Sequence, residues 1–394
     1  MAATGSLAGG DRARGALRNL IAHRFGAEDV VLTGGGTQAL QLALALASAR
    51  AEARGRPIAL PAYSCFDLVT AAVGADVGLR FYDVDPVRLS PDLESLRAVA
   101  AEGVAAVVAG NLYGYPVDTA AVRSICDDAE AVFIEDAAQA IGSSTSEGRS
   151  AGSLGDVTVL SFGRGKGWTG GGGGALLLRG RLAEAWSGVR PGTPAGRVEL
   201  APGGRGAGRA ITSLAAWMLG RPSLYRLPAS IPALGLGETR WRDPVPPAEI
   251  PAFSAGLALR TAADALHGVA DRRRTAMTLA NALARSPAAA ARVQVCEPLG
   301  GSDRAGFLRL PVVTRSSVEA RALCERGRDL GIAPSYPAAL HLLPQARAPQ
   351  VGPVPELPGA ERLAERLVTL PTHRWVREAH VRALVEVVAS IETT

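Results

Sequence analysis

The 42 Lys and Arg residues of this 394-residue chain include one lysine, Lys166, and every other basic side chain is an arginine. Arginine carries positive charge as well as lysine does, but its guanidinium keeps its proton to about pH 12 and above. An ammonium group can be tuned toward neutrality and attack a carbonyl. A single lysine in an arginine-saturated chain is therefore a candidate amine nucleophile of the Schiff-base type. The plain alternative is an Ala-, Arg- and Gly-rich composition that happens to keep one lysine, and the neighbourhood of Lys166 decides between the two. Residues 161–174 read SFGRGKGWTGGGGG. Glycines on both sides of the lysine let backbone approach a flat ligand with no Cβ in the way. Ser161, at the start of this run, offers a hydroxyl to a phosphate.

Upstream, the stretch EDAAQA places Asp136 at the end of an apolar segment. A carboxylate there can pair with a protonated ring nitrogen and hold it charged. Further upstream, GGGTQ opens an apolar helical run, so the backbone N–H groups of Gly36, Thr37 and Gln38 and the positive end of the helix dipole form a cup for phosphate. A lysine for an imine, an acid for a pyridinium and a phosphate cup are the parts a pyridoxal 5'-phosphate (PLP) site requires. Taken singly, GGGTQ is any tight turn, Asp136 is a cap or surface acid, and the glycine run is a loose loop. Their order, each at a strand end, argues for one site.

The elements that must position these residues alternate. A helix is expected over 11–25, then a short strand at 30–32, the glycine turn and an apolar helix. Further strands are expected at 58–60, 79–82, 105–109, 131–134, 157–161 and 175–178, with a helix near 118–127. Strands alternating with helices imply a mixed, mostly parallel sheet covered on both faces, with ligands at the strand ends. Residues 190–250 differ, being rich in Gly, Pro and Arg around an apolar piece, AITSLAAWML; a flap or inserted subdomain is the first reading, a helix on a membrane surface the weaker one. A long helix over 254–285 follows, then strand, helix, strand and a terminal helix near 377–391. The expected organisation is a large domain over 1–253, carrying the insertion, and a smaller C-terminal α/β domain over 254–394.

Composition narrows the function classes. With 47% hydrophobic and 20% charged residues the chain reads as a globular protein with a full core, and its net charge of +5 is modest. The arginines are scattered except at Arg272, Arg273 and Arg274, with no aromatic-interleaved basic strip, so no nucleic-acid partner is expected. The four cysteines, Cys65, Cys126, Cys296 and Cys324, form no CxxC, and the five histidines form no HExxH, so neither a disulfide framework nor a metal site is expected. The N-terminus lacks an apolar signal-peptide core and no apolar run is long enough to span a bilayer. A cytoplasmic location without membrane contact is the expectation.

The motifs together resemble the DegT/DnrJ/StrS group of sugar aminotransferases, PLP enzymes of fold-type I. The resemblance rests on GGGTQAL at 34–40, PAYSC at 61–65, YGYPVD at 113–118, EDAAQAIG at 135–142, GSLGD at 152–156, SFGRGK at 161–166 and AERLAERLVTLPTH at 360–373. It implies that Lys166 forms the Schiff base and moves protons, that Asp136 pairs with the pyridine nitrogen, and that Gln139 lies beside the ring. It also implies that Ser161 and the 36–38 turn hold the phosphate. An aromatic from the PAYSC segment normally stacks on the ring; Cys65 falls at that position, which leaves Tyr63 or Phe66 to serve. By the same resemblance Tyr336 and His341 are candidates for the substrate side, and Arg164 is a candidate for an anionic substrate group. The family's Asn-x-Arg element, which reaches the neighbouring subunit's cofactor, is absent from the matching stretch EIPAFSAG at 249–256. An arginine of the insertion, among them Arg205, Arg209, Arg221 and Arg226, is the expected replacement.

The implied activity is transfer of an amino group from glutamate or glutamine to a keto sugar, nucleotide-linked, by a homodimer. Two other readings use the same residues: a PLP enzyme of this fold acting on a non-sugar keto substrate, and a PLP-binding regulatory protein without turnover. The retained lysine argues against a sugar dehydratase, in which that lysine is typically replaced.

Overall fold

The structure is a computed structural model that describes residues 10–145, 147–188, 200–204, 206–211, 213 and 239–391. Its centre is a seven-stranded sheet in the order β1-β7-β6-β5-β4-β2-β3. These strands are β1 (Asp29–Thr33), β2 (Ile58–Pro61), β3 (Leu79–Tyr82), β4 (Ala106–Gly110), β5 (Val132–Asp136), β6 (Val157–Ser161) and β7 (Gly174–Leu178). β3, β2, β4, β5 and β6 run parallel, whereas β7 is antiparallel to both β6 and β1. The strands are short, apolar and buried along most of their length, as expected of a sheet with helices on both faces.

The antiparallel β6–β7 pair matters for the site. Ser161 is paired with Gly174, so the whole lysine segment is the connection at the end of a hairpin. Packing explains the glycines there. A Cβ on Gly174 would come within 2.7 Å of the Gly35 carbonyl carbon and the Gly36 nitrogen, and one on Gly36 would come within 2.8 Å of Ser161 Cβ. The turn after β1 and the end of the β6–β7 hairpin therefore press backbone against backbone, which only residues without a Cβ allow.

A second, four-stranded antiparallel sheet has the order β10-β11-β9-β8, formed by β8 (Val293–Val295), β9 (Leu310–Thr314), β10 (Ala333–Pro334) and β11 (Leu367–Leu370). The two sheets are joined by one long helix, Ala252–Arg285. Its first turns lie against the helix Gly10–Phe25, where Gly10 leaves no room for a Cβ beside Ala252. Its later turns contribute Ala276, Leu279 and Leu283 to a core shared with the C-terminal elements. The helix starts at Ala252, so the 253/254 boundary expected from sequence falls in its first turn, and the helix serves both units. It also fixes the lysine hairpin: Trp168 Nε1 donates to the Ala258 carbonyl at 2.8 Å, and Thr261 Oγ1 to the Thr169 carbonyl at 2.7 Å.

The described ends of the 190–250 segment dock on the tip of β1. Ala201 pairs with Ala248, Glu249 with Thr33, and the Gly34 N–H donates to the Ala248 carbonyl at 2.7 Å. Most of the apolar piece within the insertion (212 and 214–219), and with it the flap and membrane-surface readings, lies outside the described residues. Among the described residues no helix is long and apolar enough to cross a membrane, and no cluster of three or more His, Cys, Asp or Glu is arranged to hold a metal ion.

Candidate active site

The site lies at the carboxyl ends of β4, β5 and β6, where a parallel sheet leaves backbone and side chains free to meet a ligand. One pocket there is lined by Gly36, Thr37, Asp136, Gln139, Ser161 and Lys166, together with Cys65 and Asp67. Residues scattered over 130 positions of the chain are thus brought within reach of one small molecule.

Each is positioned by a local cause. The helix Gly36–Ser48 starts at Gly35, whose extended backbone offers no side-chain cap. The first N–H groups of the helix, at Gly36, Thr37 and Gln38, are left without a side-chain cap such as Asp92, Asp118 or Ser316 gives to other helices, which suits an anion. The Gln38 side chain does not face the pocket: its Nε2 donates to the Pro246 carbonyl at 3.0 Å and its Oε1 accepts from the Ala248 N–H at 3.4 Å. Gln38 therefore contributes backbone only, and its side chain ties down the end of the insertion. Ser161 ends β6 directly opposite Gly36, so its hydroxyl stands beside the helix N-terminus.

Asp136 ends β5, and its Oδ1 accepts the Ala138 N–H at 3.0 Å. Burial raises its carboxyl above the ordinary value; the Ala138 N–H and the Lys166 ammonium oppose the rise, and Asp67 adds to it. Its neighbour Glu135 points the other way and is fully buried. There it accepts N–H groups from Gly152, Leu154 and Gly155 at 2.7–3.2 Å. Burial raises the Glu135 carboxyl, and these three donors and Arg179 oppose the rise. The GSLGD turn is in this way wrapped around the residue next to Asp136. Arg179 completes the clamp by donating to the carbonyls of Phe25, Gly152 and Gly155 at 2.8–2.9 Å.

Gln139 bridges the pocket to the C-terminal unit. Its Oε1 accepts the Tyr113 N–H at 2.9 Å, and its Nε2 donates to the Tyr336 hydroxyl at 2.6 Å. The Tyr336 ring stacks on that of Tyr113, with centroids 6.2 Å apart. The hydroxyls of Tyr63 and Tyr113 both meet Ser335 Oγ.

Several expectations are corrected by this geometry. Neither Tyr63 nor Phe66 lines the pocket: Tyr63 is fully buried and turned to Ser335, and Phe66 is buried at the start of the helix Asp67–Ala75. Cys65 lines it instead, because the chain turns into that helix one residue later, and burial pushes its thiol up to about 12. His341 lies elsewhere, packed on Phe81 of β3 and 3.4 Å from Glu361, with burial lowering its pKa. Arg164 is exposed and outside the pocket lining. Tyr336 reaches the pocket only through Gln139. Of the insertion's arginines, Arg205, Arg221 and Arg226 lie outside the described residues. Arg209 Nη2 donates to the Gly34 carbonyl at 3.0 Å, beside the turn of its own chain.

Sequence reasoning passed over Asp67. It stands in the first turn of a helix, where an acid is ordinary, and only the folded sheet brings it into one pocket with Lys166 and Asp136. Asn111, which follows β4 and lines the same pocket, was also missed; its Oδ1 accepts the Val117 N–H at 3.4 Å.

The donor set is an amine, a carboxylate pushed up by burial, a hydroxyl and an uncapped helix N-terminus at the ends of a doubly covered parallel sheet. It defines the class of protein: a lysine-centred, phosphate-holding α/β site of the fold-type I kind. Residues 4–186 match the sequence model of the DegT/DnrJ/EryC1/StrS aminotransferase family. That segment carries the lysine and its whole pocket. Among curated proteins, GDP-perosamine synthase of Vibrio cholerae is 30% identical over 142 residues, 36% of this chain and 38% of that protein. The L-glutamine:2-deoxy-scyllo-inosose aminotransferase of Streptomyces kanamyceticus is 32% identical over 142 residues, 36% of this chain and 32% of that protein. The chain thus spans about a third of the length of these relatives. The fold extends further: a DegT DnrJ EryC1 StrS aminotransferase from Brucella abortus superposes with a TM-score of 0.70 at 20% identity, covering 100% of this chain and 96% of that one.

Proposed function

We propose that this chain is a PLP-dependent aminotransferase that moves an amino group from glutamate or glutamine to the keto group of a sugar, nucleotide-linked, and that it works as a homodimer. The observation that carries the reading is the convergence of Lys166, Asp136, Ser161 and the uncapped turn at Gly36 on one pocket. The residues fit PLP because an amine, a buried carboxylate and an uncapped helix start beside a hydroxyl match its carbonyl, its ring nitrogen and its phosphate. When bound, PLP supplies an electrophilic carbonyl and a ring that stabilises negative charge on the substrate carbon.

The chain's own residues do the rest. Lys166 Nζ is the amine that holds the cofactor and, once released, takes and returns the proton at the substrate carbon. Asp136 keeps the ring nitrogen protonated, and the Ala138 N–H fixes its orientation. Ser161 Oγ and the N–H groups of Gly36 and Thr37 hold the phosphate, so the reacting carbon is placed relative to Lys166. Gln139, held from both sides by Tyr113 and Tyr336, orients the ring edge. Burial raises the Cys65 thiol to about 12, so it stays protonated at neutral pH.

The deciding experiment incubates the purified protein with PLP and L-glutamate or L-glutamine, then adds a panel of nucleotide-linked keto sugars and simple keto acids. The expected result is bleaching of the cofactor absorbance by the donor and an aminated sugar by mass spectrometry. Transfer to keto acids alone would overturn the sugar assignment, and no transfer from either donor would overturn the aminotransferase. Light scattering checks the oligomer: a fully active monomer would contradict the homodimer.

A further inference from the structure

Lys166 belongs to two cavities. A second one, of about 140 Å3, adjoins the first, and the two share Ala138, Ser161 and Lys166. Its walls are mostly apolar, with Phe25, Ile141 and Trp168 among them, and Ser144 and Ser150 add hydroxyl-bearing side chains. Among the described residues its one cation besides the lysine is Arg24, from the last turn of the helix Gly10–Phe25. The Arg24 guanidinium lies 5.4 Å over the Phe25 ring, and its Nε is buried without a hydrogen-bond partner. Burial alone lowers its pKa; no acidic group among the described residues offsets that cost. A second guanidinium stands behind the same wall. Arg272 Nε donates to the Gly306 carbonyl at 3.1 Å, and its buried Nη2 has no partner beside Gly167, the residue after the lysine.

A half-buried arginine with an unsatisfied N–H is costly unless an anion meets it. The cavity is well under the roughly 300–1,000 Å3 of pockets that enclose larger ligands. Its size suits a small acid. The planar guanidinium fork matches a carboxylate in a bidentate pair.

We propose that this cavity is a carboxylate subsite, in which Arg24 receives the carboxylate of the amino-acid donor while Ile141 and Trp168 flank its carbon chain. Ser144 and Ser150 complete the polar end. The donor's amine is thereby presented at the shared wall, where Lys166 stands. The inference rests on the proposed amino transfer and adds to it the residue that selects an α-amino acid over a simple amine.

The test is calorimetric titration of the PLP-loaded protein with glutarate, a dicarboxylate that has no amine to react. Glutarate should bind the wild type, and Arg24→Gln should weaken it tenfold or more. Arg24→Met, which keeps the length of the side chain without its charge, should do the same and serves if the first variant does not fold. PLP loading of Lys166, read by borohydride fixation, should be unchanged in both. Equal glutarate affinity in wild type and variants, or no binding to the wild type, would overturn the subsite. Loss of PLP loading in the wild type itself would instead sink the cofactor reading, and the same titration without PLP would then still decide for or against Arg24.

Discussion

Lys166 and Asp136 line one pocket and stand 30 positions apart in the sequence. Under the proposed function a lysine is required at 166, because an arginine there would keep its proton. Lys166→Arg is expected to fold and to lose covalent attachment of PLP altogether, as read by borohydride fixation and peptide mapping; a label still found on that loop would contradict the assignment. Asp136 is argued from its environment. Asp136→Asn keeps the acceptor for the Ala138 N–H but removes the charge. Turnover should fall by about 10²-fold or more, the order seen when one charge-stabilising group is lost, with PLP still bound. Its pH behaviour has a definite sign. Burial raises the native carboxyl above its ordinary 3.8, so just above that value the native protein binds more protons than the unfolded chain. Stability therefore falls as pH rises through the raised value, and the cost persists at neutral pH. Without cofactor, Asp136→Asn should melt higher than the wild type at pH 7. The two should converge as the pH drops below the ordinary carboxyl range, as measured by thermal unfolding across pH. A wild type that melts higher at pH 7 would refute this account.

At the scale of elements, the site depends on how closely the turn after β1 meets the β6–β7 hairpin. Gly36→Ala places a Cβ 2.8 Å from Ser161 Cβ, so either the helix start or the hairpin end must move. We expect a loss of about 1–3 kcal/mol in stability, the usual cost of overpacking, together with PLP affinity weakened about tenfold or more. Denaturant unfolding and fluorescence titration of PLP measure the two effects. Unchanged PLP affinity would show that the phosphate is held elsewhere. Much at this scale was legible in sequence. The strands 79–82 and 157–161 were expected at the bounds observed, because each is a short apolar run closed by polar or glycine residues. The direction of β7 was not legible: a glycine-rich connection says that the chain turns, not that it returns antiparallel beside the strand it left.

Across the whole molecule, the C-terminal unit touches the pocket through one hydrogen-bonded chain, from Tyr336 to Gln139 and on to Tyr113. Tyr336→Phe removes only the hydroxyl and keeps the stacked ring. It should cost about 0.5–1.5 kcal/mol, the net worth of one hydrogen bond. It should also raise KM for substrate more than it lowers kcat, because Gln139 then lacks one of its two anchors. Steady-state kinetics separate the two parameters, and a variant with wild-type KM and kcat would show the contact to be structural alone.

The sequence by itself determined the residues on which the proposed chemistry rests: a single lysine among glycines, an acid at a strand end and a glycine turn before an apolar helix are local patterns, fixed by residue type and spacing. It also determined the alternation of strands and helices, because hydrophobic period is local too. The tertiary structure decided which side chains face the ligand. Cys65 lines the pocket and Tyr63 and Phe66 do not, His341 stands beside Glu361, the Gln38 side chain ties down the insertion, and Asp67, unremarkable in sequence, lines the pocket with Lys166. Facing depends on where a helix starts and which strands are neighbours, and those are set by packing between segments far apart in the chain.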